Sequence, residues 1–188
     1  MTAISPALSS LRRLYFVRAA FALLWAVLVG VTGAKLGPVS VTLVVLYPLF
    51  DVGAAIVDAR ASKQSQNVTG LYINIIVSLA AAAGLALATA TSGIPGVLRV
   101  WGAWAIVSGI VQLIVGVGRR KLGGQWPMIV SGGLSVGAGS SFILMSGQPT
   151  PALTAVAGYA ALGGIFFLIS AIRLGAAAKK APAVVGIV

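Results

Sequence analysis

Cysteine and histidine are absent from this chain of 188 residues, and its only acidic side chains are two aspartates. Without thiols or imidazoles, the chain has no disulfides, thiolate nucleophiles or histidine bases, and nearly all zinc and copper sites are excluded. Two carboxylates alone leave general acid–base and nucleophilic catalysis with few candidates. A serine or lysine nucleophile has no evident partner base. The sequence therefore predicts a protein that is not an enzyme and has no cofactor or metal.

Charge is equally scarce, because 8% of the residues are charged while 59% are hydrophobic, and the mean hydropathy is +1.06. A soluble domain averages about 25% charged residues, so the solvent for most of this chain must be lipid. The 13 Lys and Arg give a net charge of +11, which in a soluble protein would suggest nucleic acid. The basic residues lie in short loops, which cannot hold a groove-reading module. No nucleic-acid partner is expected.

Six apolar runs, each of about 20 residues, are long enough to cross a hydrocarbon core of roughly 30 Å. They do not alternate in polarity as barrel strands do. We therefore predict an all-α, polytopic membrane protein with six transmembrane helices. Pro48 is expected to kink the second helix, and Thr150 and Pro151 are expected to cap and begin the sixth. The expected spans are 14–34, 39–57, 70–91, 97–117, 126–146 and 151–173.

The chain is expected to divide into a cytoplasmic N-terminal segment (1–13), a transmembrane domain (14–174) and a disordered cytoplasmic tail (175–188). The basic start at Arg12 and Arg13, followed by an apolar run, is also typical of a signal peptide or a twin-arginine signal. However, the run is long for such a signal, and no convincing small-x-small cleavage site follows it. An uncleaved first helix is the favoured interpretation.

The basic residues predict the orientation, since cytoplasmic loops carry an excess of Lys and Arg. One side of the predicted bundle has ten of them and the other has two, so both termini are expected in the cytoplasm. The two are Lys35 and Arg99. The ten are Arg12, Arg13, Arg60, Lys63, Arg119, Arg120, Lys121, Arg173, Lys179 and Lys180.

Four polar residues within the apolar runs form the candidate site: Asp51, Asn74, Gln112 and Arg18. Counting along the helices places them at broadly similar depth, so we predict a polar cluster in the cytoplasmic half of the bundle. An ionisable residue within a membrane is costly and often functional, which favours an ion or solute site or a protonation switch at Asp51. Alternatively, Asp51 pairs with Arg18 or accepts hydrogen bonds that hold the helices together.

Aromatic and small residues give two further predictions. Aromatic side chains near the ends of the spans are typical of membrane-interface belts. Small residues four apart, such as Gly133 and Gly137, let helices approach closely, and packing within one chain is favoured over a dimer seam. The residues assigned to the belts are Trp101, Trp104, Trp126, Tyr15 and Tyr72.

The chain resembles the HdeD-type family of small bacterial inner-membrane proteins. The resemblance lies in LRRLYFVRAAFALLWAVLVG near the start, WGAWAIVSGIVQLIVGVGRRKLGGQWPMIVSGGLSVGAG in the middle and GYAALGGIFFLISAIRLG near the end. It implies six spans in three tandem helical hairpins, location in the bacterial inner membrane, and a part in acid or general stress tolerance. It supplies no catalytic residues. The partners expected are the lipid bilayer and either a second copy or another membrane protein. The alternative function is a small transporter or channel with a polar site around Asp51.

Overall fold

The computed structural model describes residues 6–62, 68–118 and 126–180, which form helices joined by short turns and contain no strand. The predicted basic residues Lys63 and Arg119–Lys121, and the tail 181–188, lie outside these described ranges. The helices are α1 (Pro6–Thr32), α2 (Pro38–Ser62), α3 (Thr69–Thr91), α4 (Gly93–Gly118), α5 (Trp126–Met145) and α6 (Thr154–Lys180).

Within the described ranges, five of these helices are long and apolar enough to cross a membrane. The exception is α5, whose apolar stretch is shorter, Ile129–Met145. An all-helical, multi-pass membrane protein is therefore confirmed as the class of fold.

The predicted start of the last helix is wrong. α6 begins at Thr154 rather than at Pro151, because the buried Leu153 donates its backbone N–H to the carbonyl of Gly33, 3.3 Å away, and this contact fixes the turn before the helix. At its other end α6 continues to Lys180, and the remainder of the predicted tail lies outside the described residues. At Gly175 the helix lies close against the guanidinium group of Arg12 in α1.

The helices pack in the order α6, α1, α2, α3, α4, α5, each against the next, so the bundle is a ring with one gap. α5 and α6 hardly touch, although they are consecutive in the chain, whereas α1 packs extensively on α6 and α4 on α5. We call the end where α2 finishes and α6 finishes, with Arg60 and Arg173, the basic end. The opposite end, with the turn 33–37 and the turn 146–153, is the turn end. Only the first two of the three predicted hairpins are closely packed pairs.

Glycines explain why α4 and α5 form the tightest pair. A Cβ placed on Gly139 would lie 2.5 Å from the carbonyl oxygen of Gly102, and one on Gly109 would lie 2.6 Å from that of Gly132. Real Cβ atoms do not approach so closely, so only glycine permits this separation of the two backbones. Close backbone approach through small residues is the usual means of helix association in lipid.

Aromatic rings fill the centre of the ring of helices. Trp101 is completely buried and stacks on Trp25, with 5.1 Å between the ring centroids. Tyr47 packs against both of these rings, and Trp104 packs against Trp101 and Tyr47. The interface-belt prediction is therefore wrong for Trp101 and Trp104, because the faces of α4 that carry them point inward. Trp126, which is 74% exposed, remains compatible with a belt.

The same aromatic centre contacts the backbone of α2 on the N-terminal side of its proline. The helix continues through Pro48, whose ring cannot donate a backbone hydrogen bond to the preceding turn. One turn earlier, the carbonyl of Leu43 accepts a hydrogen bond from the indole N–H of Trp25 at 2.6 Å. This bond joins α1 to α2 five residues before Pro48.

Candidate functional site

The carboxylate of Asp51 is surrounded by donors from two neighbouring helices. Arg18 of α1 donates to Oδ1 and forms an ion pair with the carboxylate. On the other oxygen, Oδ2 accepts from the side-chain amide of Asn74 at 2.7 Å and from the hydroxyl of Ser78 at 2.9 Å. The Arg18 and Asp51 side chains are only 14% and 13% exposed. The charge on this carboxylate is thus paired and hydrogen-bonded, as a buried charge requires.

Helical periodicity brings these groups together. Asn74 and Ser78 are four residues apart and therefore share one face of α3, the face that packs on α2. Arg18 and Asp51 each lie nine residues inside the basic-end limits, Ser9 and Arg60, of their apolar segments. At about 1.5 Å per residue, both are roughly 14 Å deep, so the two charges meet at the same level.

The cluster also reaches α4 and α6. The indole N–H of Trp104 in α4 donates to the hydroxyl of Ser78 at 3.2 Å. The guanidinium of Arg18 lies over the ring of Phe167 in α6, 4.5 Å from its centroid, which is a cation–π contact. One network of polar and cation–π contacts therefore connects α1, α2, α3, α4 and α6.

Three of the four residues predicted for the site, Arg18, Asp51 and Asn74, lie together, and the fourth does not. The side-chain oxygen of Gln112 is buried and has no hydrogen-bond partner. Gln112 lies eight residues after Trp104 on α4, so it is about two turns nearer the basic end than the indole that contacts Ser78. That these residues bind a ligand stays a prediction.

Ser78 and Trp104 belong to the cluster but were not predicted. Ser78 follows Asn74 by four residues, so the shared helix face was a signal in the sequence that could have identified it. Trp104 was assigned to an interface belt, because nothing in the sequence distinguishes an inward-facing indole from one at the membrane surface.

A small cavity lies beside the cluster between α3 and α4. Its volume is about 10 Å³. Such a volume has room for about one water molecule. The hydroxyl of Ser108, which lines it, is buried and has no hydrogen-bond partner. The other lining residues are Ile73, Asn74, Val77 and Val111.

The arrangement limits what the cluster can do chemically. Arg18 already neutralises Asp51, so a cation could reach the carboxylate only by displacing the guanidinium. In the described ranges no group of acidic residues could hold a metal ion. The adjacent cavity is far below the roughly 300 Å³ of a typical small-molecule pocket. The geometry favours an ion pair that holds helices together over a site for a solute.

A much larger space lies in the gap between α5 and α6. This α5–α6 groove has a volume of about 460 Å³ and is lined by small and apolar residues. Nothing lies within 4 Å of a Cβ placed on Gly133, Gly137 or Gly158. The prediction that Gly133 and Gly137 pack within the chain is therefore wrong, because their face of α5 turns to the gap. Tyr159 of the groove wall shares a 2.8 Å hydrogen bond with Ser135.

Comparison of the chain with protein-family models, with curated proteins and with solved structures finds no match.

Proposed function

We propose that the chain is a non-enzymatic, six-span protein of the bacterial inner membrane, of the HdeD type, with both termini in the cytoplasm. It acts in acid or general stress tolerance by associating with a second copy of itself in the plane of the membrane. The association uses the α5–α6 groove. The observation that carries this proposal is the set of groove glycines, Gly133, Gly137 and Gly158, which meet no atom of their own chain.

The reason is the packing of helices in lipid. Hydrocarbon tails give no hydrophobic drive between helices, so association depends on close van der Waals contact, and glycine allows it. Gly102 and Gly139 already serve this purpose between α4 and α5. Gly133 and Gly137 lie four residues apart on another face of α5, where a Cβ on either would meet nothing within 4 Å. A face that pairs with its own copy about a twofold axis needs no other surface.

The alternative, a transporter or channel around Asp51, has less support. Conduction needs a pathway, and the space beside the cluster between α3 and α4 has room for about one water. The carboxylate is held by Arg18, Asn74 and Ser78. These contacts support a structural part for Asp51 in the proposed protein.

Disulfide cross-linking tests the association directly, because the chain has no cysteine of its own. Ser141→Cys places a thiol on the groove wall, four residues before the end of α5. Leu87→Cys is the matched control, exposed and four residues before the end of α3. We expect oxidation in native membranes to give a covalent dimer of the first variant only. Equal cross-linking of both, or of neither, would contradict the proposal.

Survival in acid tests the link to stress tolerance. A strain deleted for the gene is complemented with Gly137→Ile, which fills the groove, or with Gly30→Ile as the matched control. Both glycines are exposed, and a Cβ on either meets nothing within 4 Å. We expect the deletion and Gly137→Ile to lower survival, while Gly30→Ile restores it. Full survival of the deletion strain, or full rescue by Gly137→Ile, would refute the proposal.

A further inference from the structure

Polar side chains follow one another along the interface between α3 and α4. The two helices are antiparallel neighbours, and the contact of Ser78 with Trp104 fixes their register. One turn toward the basic end, Asn74 of α3 and Ser108 of α4 face the same cavity. One further turn along α4 is Gln112. Trp104, Ser108 and Gln112 are each four residues apart, so they form one stripe on α4.

Hydrogen bonds connect only the first part of this stripe. Asp51 is joined to Asn74 and, through Ser78, to Trp104. The hydroxyl of Ser108 has no partner, although it is buried. Buried polar atoms in native proteins almost always have a partner, either in the protein or in an ordered water. The chain of hydrogen bonds therefore breaks at the cavity.

The cavity suits one water molecule. Its volume of about 10 Å³ is close to the minimum that admits one. Buried waters also need polar partners, and here the amide of Asn74 and the orphaned hydroxyl of Ser108 both line the space. The remaining walls, Ile73, Val77 and Val111, are apolar and leave the water no other side-chain partner.

We propose that one ordered water occupies this cavity, hydrogen-bonded to Asn74 and to the hydroxyl of Ser108. The water is a bound component of the fold, and it extends the polar contacts of Asp51 along α4 in the direction of Gln112. It gives the Asp51 cluster a contact with exchangeable protons on the side of the basic end. This inference is independent of the association through the α5–α6 groove.

Solid-state NMR of the labelled full-length protein in lipid vesicles tests the water site. Magnetisation is transferred from water protons to the side-chain amide of Asn74. We expect a transfer at least several-fold above that to the backbone amide of Leu85, which is completely buried. Val77→Ile keeps both polar side chains and adds a methyl group to the cavity wall. It should reduce the transfer to the level of Leu85.

Ser108→Val is the second variant, because it fills the cavity and removes the hydroxyl, and it should have the same effect. Its matched control is Ser140→Val, since Ser140 is exposed and its hydroxyl bonds to the carbonyl of Val136. The control should leave the transfer unchanged. A wild-type signal no larger than that of Leu85 would mean a dry cavity and would overturn the proposal. A strong signal that persists in both Val77→Ile and Ser108→Val would overturn it too, because the water would then lie elsewhere.

Discussion

Removing the Arg18–Asp51 ion pair one partner at a time, and then both together, should give a characteristic pattern of stability. The variants are Arg18→Met, Asp51→Leu and the double replacement. Each single change leaves an uncompensated charge about 14 Å inside its apolar segment. Breaking a buried ion pair by removing one partner costs about 3–5 kcal/mol. Because the two side chains keep 14% and 13% exposure, we expect the lower end, about 3 kcal/mol for each single variant.

The double variant should be more stable than either single one. Replacing both partners of a buried pair by apolar residues of similar size is often neutral. The remaining cost arises at Asn74, whose amide loses the acceptor it has at 2.7 Å, and it amounts to about 1 kcal/mol. The hydroxyl of Ser78 also loses its acceptor on Asp51, but it keeps the hydrogen bond from Trp104 and can rotate to donate to a carbonyl of its own helix. The double variant should thus exceed each single by about 2 kcal/mol, roughly 30-fold in the unfolding equilibrium constant.

Reversible unfolding in mixed micelles of a mild detergent and dodecyl sulfate, followed by circular dichroism, measures these differences. Thr42→Val is the control, since Thr42 is exposed and its hydroxyl bonds only within α2, to the carbonyl of Pro38. It should change the stability by no more than about 0.5 kcal/mol. The reasoning fails if the double variant is less stable than both singles, because the two effects would then be independent costs rather than one shared interaction.

Two further matched pairs use the same measurement. Gly139→Ala should destabilise the fold by about 1–3 kcal/mol, because the added Cβ meets a backbone oxygen of α4. The Cβ of Gly133→Ala meets nothing, so this variant should be neutral or stabilising by up to about 1 kcal/mol. Equal effects of the two variants would contradict the packing of α4 on α5. Trp25→Phe should lower the free energy of unfolding by about 1–2 kcal/mol more than Trp101→Phe does. The reason is that Trp25 donates to the Leu43 carbonyl, while the buried indole N–H of Trp101 has no partner. A larger loss of stability in Trp101→Phe would contradict this expectation.

The polar cluster was predictable in one dimension only. Counting residues along a helix gives depth in the membrane, and this placed Arg18, Asp51 and Asn74 at compatible levels. It does not give the direction in which a side chain points around the helix. Trp104 was missed for this reason, since its indole points inward to Ser78. Gln112 differs in level instead, because it lies about two turns beyond Trp104 toward the basic end. Ser78 could have been included from its four-residue spacing to Asn74, because that spacing fixes a shared face.

Trp101 and the start of α6 failed for a related reason. An apolar helix in lipid is hydrophobic on all sides, so the pattern of its residues does not mark the inward face as it does in a soluble protein. The end of a helix likewise depends on contacts from elsewhere in the chain. The bond from Leu153 to Gly33 delays the start of α6, and no signal near Pro151 contains that information.

The sequence by itself determined the surroundings, the helical class and the limits on chemistry. Scarce charge and long apolar runs require lipid, and lipid requires helices or closed barrels, because an unpaired backbone group is costly there. Only the tertiary structure decided which faces meet. It closed α4 on α5 through Gly102 and Gly139, and it left a gap between α5 and α6. The reason is that packing in lipid depends on shape at each contact, and shape arises only when two helices are placed side by side.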